Sequence, residues 1–403
     1  MDFKKYSFAN APVIRVTPPG EKSKEYLDHQ NRHEGSAVSY PKGMPMALRS
    51  AKGATVEDVD GNIYIDFFGG AGVMNVGHSN PDVIKAAENQ LRKITHALDV
   101  PTPSRKELVE ILFSILPDKL NRVSFGGPTG SDAVEAAVKL AKYNTRRTPL
   151  ISFEGAYHGM TAGALSLCSG LSFKEDFLPM VPEIHFIPYA YCYRCVFGQT
   201  PDKCNLECAK YLDHIFTDPH SGIGKPAAVI IEAIQGEGGS IVPPDKYLKE
   251  LRKICSDHNV LMIVDEIQAG LCRTGKMFAF QHSGIIPDII TLSKGLGGVG
   301  FPLSCIVYKE NLDTWPPAKH IGTFRGNVIA YAAGAAALHF MLEKDLAGNA
   351  AAMGTLILKE LQTLENDSSI VGEARGKGLM LGVELVKDKE TKEPAPELAK
   401  QIR

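Results

Sequence analysis

From about Pro81 onward, short apolar runs alternate with stretches whose apolar residues recur at helical spacing. The runs 122–125, 150–153, 227–234, 261–264, 289–292 and 304–308 have the length and β-branched content of buried strands. Between several of them lie amphipathic segments. In 247–258, Leu248, Leu251, Ile254 and Cys255 fall on one helical face. This order predicts an α/β domain on a mostly parallel sheet with helices on both faces. Upstream, an apolar alternation over 56–65 is interrupted by Asp60-Gly61-Asn62, a hairpin signal. The first fifty residues are polar and proline-rich without a period, and predict an extended arm. After Trp315 the pattern changes. Helices at 330–342 and 351–364, a strand at 379–385 and a helix at 396–403 predict a smaller α+β domain. The expected division is 1–75 as arm and part of the small domain, 76–318 as the large domain and 319–403 as the C-terminal small domain.

Composition changes this picture little. A chain of 403 residues can bury a large core. A net charge of -2 gives no electrostatic reason for nucleic acid or an acidic membrane as partner. No apolar run reaches the roughly 18 residues a membrane span needs, and Met1–Asn10 has no apolar signal core. The expectation is a cytoplasmic enzyme. The eight cysteines are then reduced. Four of them form Cys192-x2-Cys195-x8-Cys204-x3-Cys208. Four thiolates in one loop could close on zinc or an iron–sulfur cluster. The spacing fits zinc patterns only loosely, so the expectation is no metal and a reduced loop.

The candidate chemistry sits where the predicted strands end, the place where open parallel sheets bind ligands. Gly126-Gly127-Pro128-Thr129-Gly130-Ser131-Asp132 joins a strand to a helix, with Thr129 and Asp132 in a capping-box pattern. Free N–H groups at such a helix start suit a phosphate, although a capped helix alone explains the pattern. Tyr157-His158 follows a second strand and could stack on a planar ring. Glu232, in Glu232-Ala233-Ile234-Gln235-Gly236-Glu237, and Asp265, in Asp265-Glu266-Ile267-Gln268, end strongly apolar strands. A carboxylate there requires partners. A protonated pyridine nitrogen would serve Asp265 and would make the ring an electron sink. Lys294 lies between an apolar strand and Gly295-Leu296-Gly297-Gly298. That position favours a desolvated, reactive amine over a snorkelling surface lysine.

Together these segments resemble the class III, or omega, aminotransferases of pyridoxal-phosphate (PLP) fold type I, over most of the chain. The spacing of Asp265, Gln268 and Lys294 carries the resemblance. It implies a large domain with a mostly parallel sheet of the seven-stranded type and a smaller α+β domain. It implies that Lys294 carries PLP as a Schiff base and shuttles a proton, and that Asp265 pairs with the pyridine nitrogen. Gln268 would contact the 3-hydroxyl side. Thr129, Gly130 and Ser131 would hold the phosphate, Tyr157 would stack with His158 beside it, and Glu232 would support Gln268 and Lys294. Thr323 would reach the phosphate of a neighbouring subunit, which makes a homodimer, or a dimer of dimers, the active unit. Arg375 would bind a substrate carboxylate, with Glu237 pairing to it as a gate. Ala233 stands where the family has proline, and the turn after Lys294 looks one residue longer than usual. Family members usually continue beyond a point such as Arg403, so the small domain is expected to be incomplete.

Tyr191-Cys192-Tyr193-Arg194-Cys195-Val196-Phe197-Gly198 and Asp313-Thr314-Trp315 narrow the resemblance to diaminobutyrate–2-oxoglutarate transaminases. The expected reaction moves an amino group from a small diamino or ω-amino acid to a 2-oxo acid such as 2-oxoglutarate. A racemase or epimerase shares the scaffold and is the alternative; a non-catalytic scaffold protein is the remote one.

Overall fold

The computed structural model describes residues 6–402. The first five residues of the polar N-terminus, and Arg403 at the end of the expected last helix, lie outside the described residues.

The expected hairpin forms. Strands β2 (Thr55–Asp58) and β3 (Ile63–Ile65) pair antiparallel across the Asp60-Gly61-Asn62 turn, and β1 (Leu48–Lys52) extends them to a three-stranded sheet. Asp58 fixes the turn by accepting hydrogen bonds from the backbone and side chain of Asn62 at 2.8 Å each. The arm is not wholly extended: Glu21–His33 is a helix. Its only buried residue is Ser23, so it has no apolar stripe for a sequence pattern to reveal. Its first turn is held instead by Asp60, which accepts from the backbone N–H groups of Lys22 and Ser23.

The central sheet contains β4 (Arg122–Phe125), β5 (Leu150–Phe153), β6 (Ile184–Ile187), β7 (Ala228–Glu232), β8 (Leu261–Asp265), β9 (Ile289–Leu292) and β10 (Cys305–Tyr308). Their spatial order is β4-β10-β9-β8-β7-β5-β6. Only β10 runs against the others, antiparallel to both β4 and β9. Strands β5, β7, β8, β9 and β10 are buried along nearly their whole length, which is why they read as continuous apolar runs. β6, Ile-His-Phe-Ile, lies at the sheet edge and is only half-buried, so its weaker pattern gave no signal. The expected strand over 227–234 ends at Glu232, because Gln235 turns back to bridge Ile241.

Helices cover both faces. Asp245–Asp257 buries Tyr247, Leu248, Leu251, Ile254 and Cys255, the predicted face. Val328–Glu343 packs on the helices Pro81–Leu91 and Pro103–Ile115 and joins the main core. The small C-terminal unit is the helix Leu346–Asp367 against a sheet of β11 (Val371–Lys377), β12 (Met380–Asp388) and β13 (Glu393–Pro394). No helix among the described residues is long and apolar enough to cross a membrane.

Candidate active site

In register, Glu232 of β7 stands beside Asp265 of β8, and Asp265 beside Thr291 of β9. Parallel pairing thus brings three polar residues, far apart in sequence, to one edge of an apolar sheet. Both oxygens of Glu232 are capped: Oε1 accepts from the Tyr157 N–H at 3.0 Å and Oε2 from the Gly236 N–H at 2.9 Å. Burial nevertheless dominates and pushes this carboxyl up to about 7, with the charge of Asp265 adding to the rise. Between the ordinary carboxylate range and about 7 the folded chain keeps a proton that the unfolded chain has released. Stability therefore falls as pH rises through that window and levels off above it. A shift of this size is worth about 3 kcal/mol. Glu232→Gln should flatten the slope of unfolding free energy between about pH 5 and 7, measured by denaturant titration.

Asp265 is enclosed by donors. Its Oδ1 accepts from the Ile267 N–H at 3.0 Å and the Thr291 hydroxyl at 2.9 Å. Its Oδ2 lies 2.7 Å from Nδ1 of His158, which is itself buried. Burial opposes the imidazolium, yet the bond and charge of Asp265, with Glu232, hold His158 above its ordinary pKa. The Nε2 of His158 is buried without a partner.

The helix Gly130–Thr145 starts beside this pair. Thr129 donates from its backbone and its hydroxyl to Asp132, at 2.9 and 2.7 Å. A Cβ on Gly130 would come within 2.9 Å of Ile267, so glycine keeps the first-turn backbone open. Ser131 accepts a hydrogen bond from the Met160 N–H on the loop beyond Tyr157 and His158. Lys294 follows β9 at φ 47, a left-handed conformation that costs a non-glycine residue about 1–3 kcal/mol. Its amine makes no hydrogen bond or ion pair with any described residue. Burial lowers its pKa, the charge of Arg273 lowers it further, and Asp265, Glu237 and Glu232 oppose.

Gly130, Ser131, Tyr157, His158, Glu232, Asp265, Gln268 and Lys294 line one cavity of about 160 Å³. The cavity thus has an open helix N-terminus, a buried carboxylate, a flanking aromatic ring and an unpaired amine. Those groups fit a phosphorylated pyridine aldehyde.

Thr129 and Glu237 do not line this cavity, and neither do two other expected residues. Thr323 is exposed, on a short turn between the exposed Ile321 and Phe324. Arg375, on β11, does not pair with Glu237. It binds Glu373 at 2.8 Å and Glu384 at 2.9 Å, and donates to the Gly239 carbonyl at 2.7 Å. The reason is register. Glu373 faces Glu384 across β11 and β12, and two opposed carboxylates need a cation; Arg375, two residues on, shares their face. Tyr191 and Arg194 also bond Glu384, at 2.7 and 2.5 Å. Arg375→Ala should therefore lower stability by about 3 kcal/mol in denaturant unfolding. A raised KM with unchanged stability would instead point to a direct role on substrate.

Cys192, Cys195, Cys204 and Cys208 line a separate cavity of about 330 Å³ beside Tyr189. All are free thiols. Among the described residues no three cysteine, histidine or acidic side chains are grouped so as to hold a metal ion. The charged residue near Lys294 that sequence reasoning missed is Arg273, which follows a turn with no motif-like spacing.

Comparison with known proteins settles the family. The profile of the class-III aminotransferases matches residues 37–402. This chain is a class III aminotransferase. The aminotransferase is 46% identical over 366 residues to a diaminobutyrate–2-oxoglutarate aminotransferase of Rhizobium meliloti, covering 90% of this chain and 78% of the relative. It is 40% identical over 373 residues to a leucine/methionine racemase of Thermococcus litoralis, covering 92% and 83%. Among solved structures, a PLP-bound amine transaminase from an uncultivated Pseudomonas species superposes with a TM-score of 0.83 at 30% identity, over 92% and 87% of the two chains. The cofactor of the aminotransferase is pyridoxal phosphate, as the family requires.

Proposed function

We propose that this aminotransferase moves the terminal amino group of a small diamino acid resembling 2,4-diaminobutyrate to a 2-oxo acid such as 2-oxoglutarate. The observation that carries the reading is the 46% identity to a diaminobutyrate–2-oxoglutarate aminotransferase, joined to the unpaired, desolvated Lys294. Bound PLP supplies the electron sink that stabilises the pair left at the donor carbon when its proton departs. The protein supplies the rest. Lys294 would hold the cofactor, and its Nζ, as a neutral amine, would take and later return the proton that leaves the donor carbon. Asp265, oriented by His158, Thr291 and the Ile267 N–H, would present its carboxylate to the ring nitrogen. The Gly130–Ser131 backbone would hold the phosphate, with Thr129 capping the helix that presents it, Tyr157 would stack on the ring, and Gln268 would reach its hydroxyl side. Glu232, capped by two N–H groups, braces the loop that carries Tyr157.

The proposed working unit is a homodimer in the cytoplasm. Phe67, Ile321 and Phe324 are 90%, 68% and 72% exposed, and a subunit contact would cover them. Thr323, between two of them, would then reach the phosphate of the other subunit. Light scattering on the holoenzyme should give twice the chain mass or a multiple of it.

The reaction is tested by product analysis. Holoenzyme given 2,4-diaminobutyrate and 2-oxoglutarate should form glutamate in step with donor loss, and neither substrate alone should turn over. The 40% identity to a leucine/methionine racemase favours a second reading. Loss of optical activity from an amino acid, with no 2-oxo acid present and no glutamate formed, would put the racemase in place of the aminotransferase.

A further inference from the structure

Arg273 is largely withdrawn from water, and burial depresses its pKa. It forms no ion pair with any described carboxylate. A guanidinium placed so without a counter-charge is costly, which calls for another reason for its position. Its bonds supply one. Nε donates to the Gln268 carbonyl at 2.9 Å, and Nη2 to the Gly72 carbonyl at 2.7 Å and to the Asn75 side-chain oxygen. Asn75 in turn donates to the Leu271 carbonyl at 2.7 Å. The same asparagine side chain packs on Gly295, where an added Cβ would meet it at 2.8 Å.

Two strained turns meet at this knot. Leu271 and Cys272 are consecutive left-handed residues, at φ 56 and 74, and Lys294 is a third at φ 47. Such conformations persist only where surrounding bonds hold them. Asn75 touches both turns, and Arg273 fixes Asn75, Gly72 and the backbone of Gln268 with one fork.

We propose that Arg273, acting through Asn75 and the Gln268 backbone, is the positioning residue that fixes the Lys294 turn and places an uncompensated positive charge beside its amine. The proposal rests on Lys294 being the cofactor lysine. The charged groups acting on that amine are Arg273 on one side and Asp265, Glu237 and Glu232 on the other. Removing Arg273 takes away the one charge that opposes those carboxylates, so the protonated form gains, with burial still acting against it.

The test separates charge from fork in the holoenzyme. The visible absorbance of bound PLP is titrated against pH, cofactor dissociation is measured by equilibrium ultrafiltration, and Tm is recorded, for the parent, Arg273→Met, Arg273→Lys and Asn75→Ala. In Arg273→Met the titration midpoint should rise by about one unit and cofactor affinity should fall about tenfold. Arg273→Lys keeps the charge but not the fork, so its midpoint should return to the parent value while affinity stays low. Asn75→Ala should weaken affinity at an unchanged midpoint. A lower Tm in Arg273→Met or Arg273→Lys, with midpoint and affinity both at parent values, would reduce Arg273 to a structural residue and overturn the proposal. A parent chain with no PLP-dependent visible band would overturn the Lys294 assignment, and this proposal with it.

Discussion

Lys294→Ala should fold, retain its thermal transition and lose turnover by about 10⁴-fold or more. The loss is large because one amine has two tasks. In the proposed mechanism it holds the cofactor covalently and carries the proton, and the two carboxylates and the imidazole that line the cavity are each already hydrogen-bonded. Asp265 and Glu232 already accept two or three hydrogen bonds each, and His158 is locked to Asp265. Folding should survive, because the Lys294 amine makes no bond to any described residue and the substitution removes a desolvated group with no internal partner. Borohydride treatment of the PLP-loaded parent should leave a stable cofactor adduct on the peptide containing Lys294, and Lys294→Ala should retain none. A labelled peptide from elsewhere in the chain would move the assignment.

The second large effect is expected at Asp265. Asp265→Asn keeps the shape and most of the donor contacts but removes the charge, and turnover should fall about 10²–10³-fold. The change also has a spectroscopic signature. The bond and charge of Asp265 are what lift the buried His158 above its ordinary pKa. With asparagine, burial alone should win and hold the imidazole neutral. Imidazole NMR of a protein labelled at histidine should then show His158 uncharged across the accessible pH range. A variant that keeps full activity would show that the ring nitrogen needs no anionic partner here.

Much of this site was legible in the sequence because each residue ends an apolar run. Asp265 and Lys294 stand out at the ends of β8 and β9, and Glu232 at the end of β7, since a charge closing a fully buried strand has few explanations. The helix start at Thr129 was legible through its capping partner Asp132. What was not legible depended on which residues meet across strands. Arg375 has a suggestive place in sequence, but its partner follows from the β11–β12 register, which sets Glu373 against Glu384 and turns Arg375 to that pair rather than to Glu237. Arg273 was invisible for a related reason. Its role arises from bonds to residues 72 and 75, about two hundred positions away, and no local pattern encodes such a contact. In the fold, β6 and the helix Glu21–His33 were missed because neither has a wholly buried, apolar face.

The most direct test of the central claim is a half-reaction followed by absorbance. Holoenzyme is mixed with 2,4-diaminobutyrate alone, and 2-oxoglutarate is added afterwards. The visible band of bound PLP should bleach with the donor and return with the 2-oxo acid, one equivalent of amino group moving each way. A band that stays while the amino acid loses its optical activity would contradict aminotransfer and leave Lys294 serving a racemase.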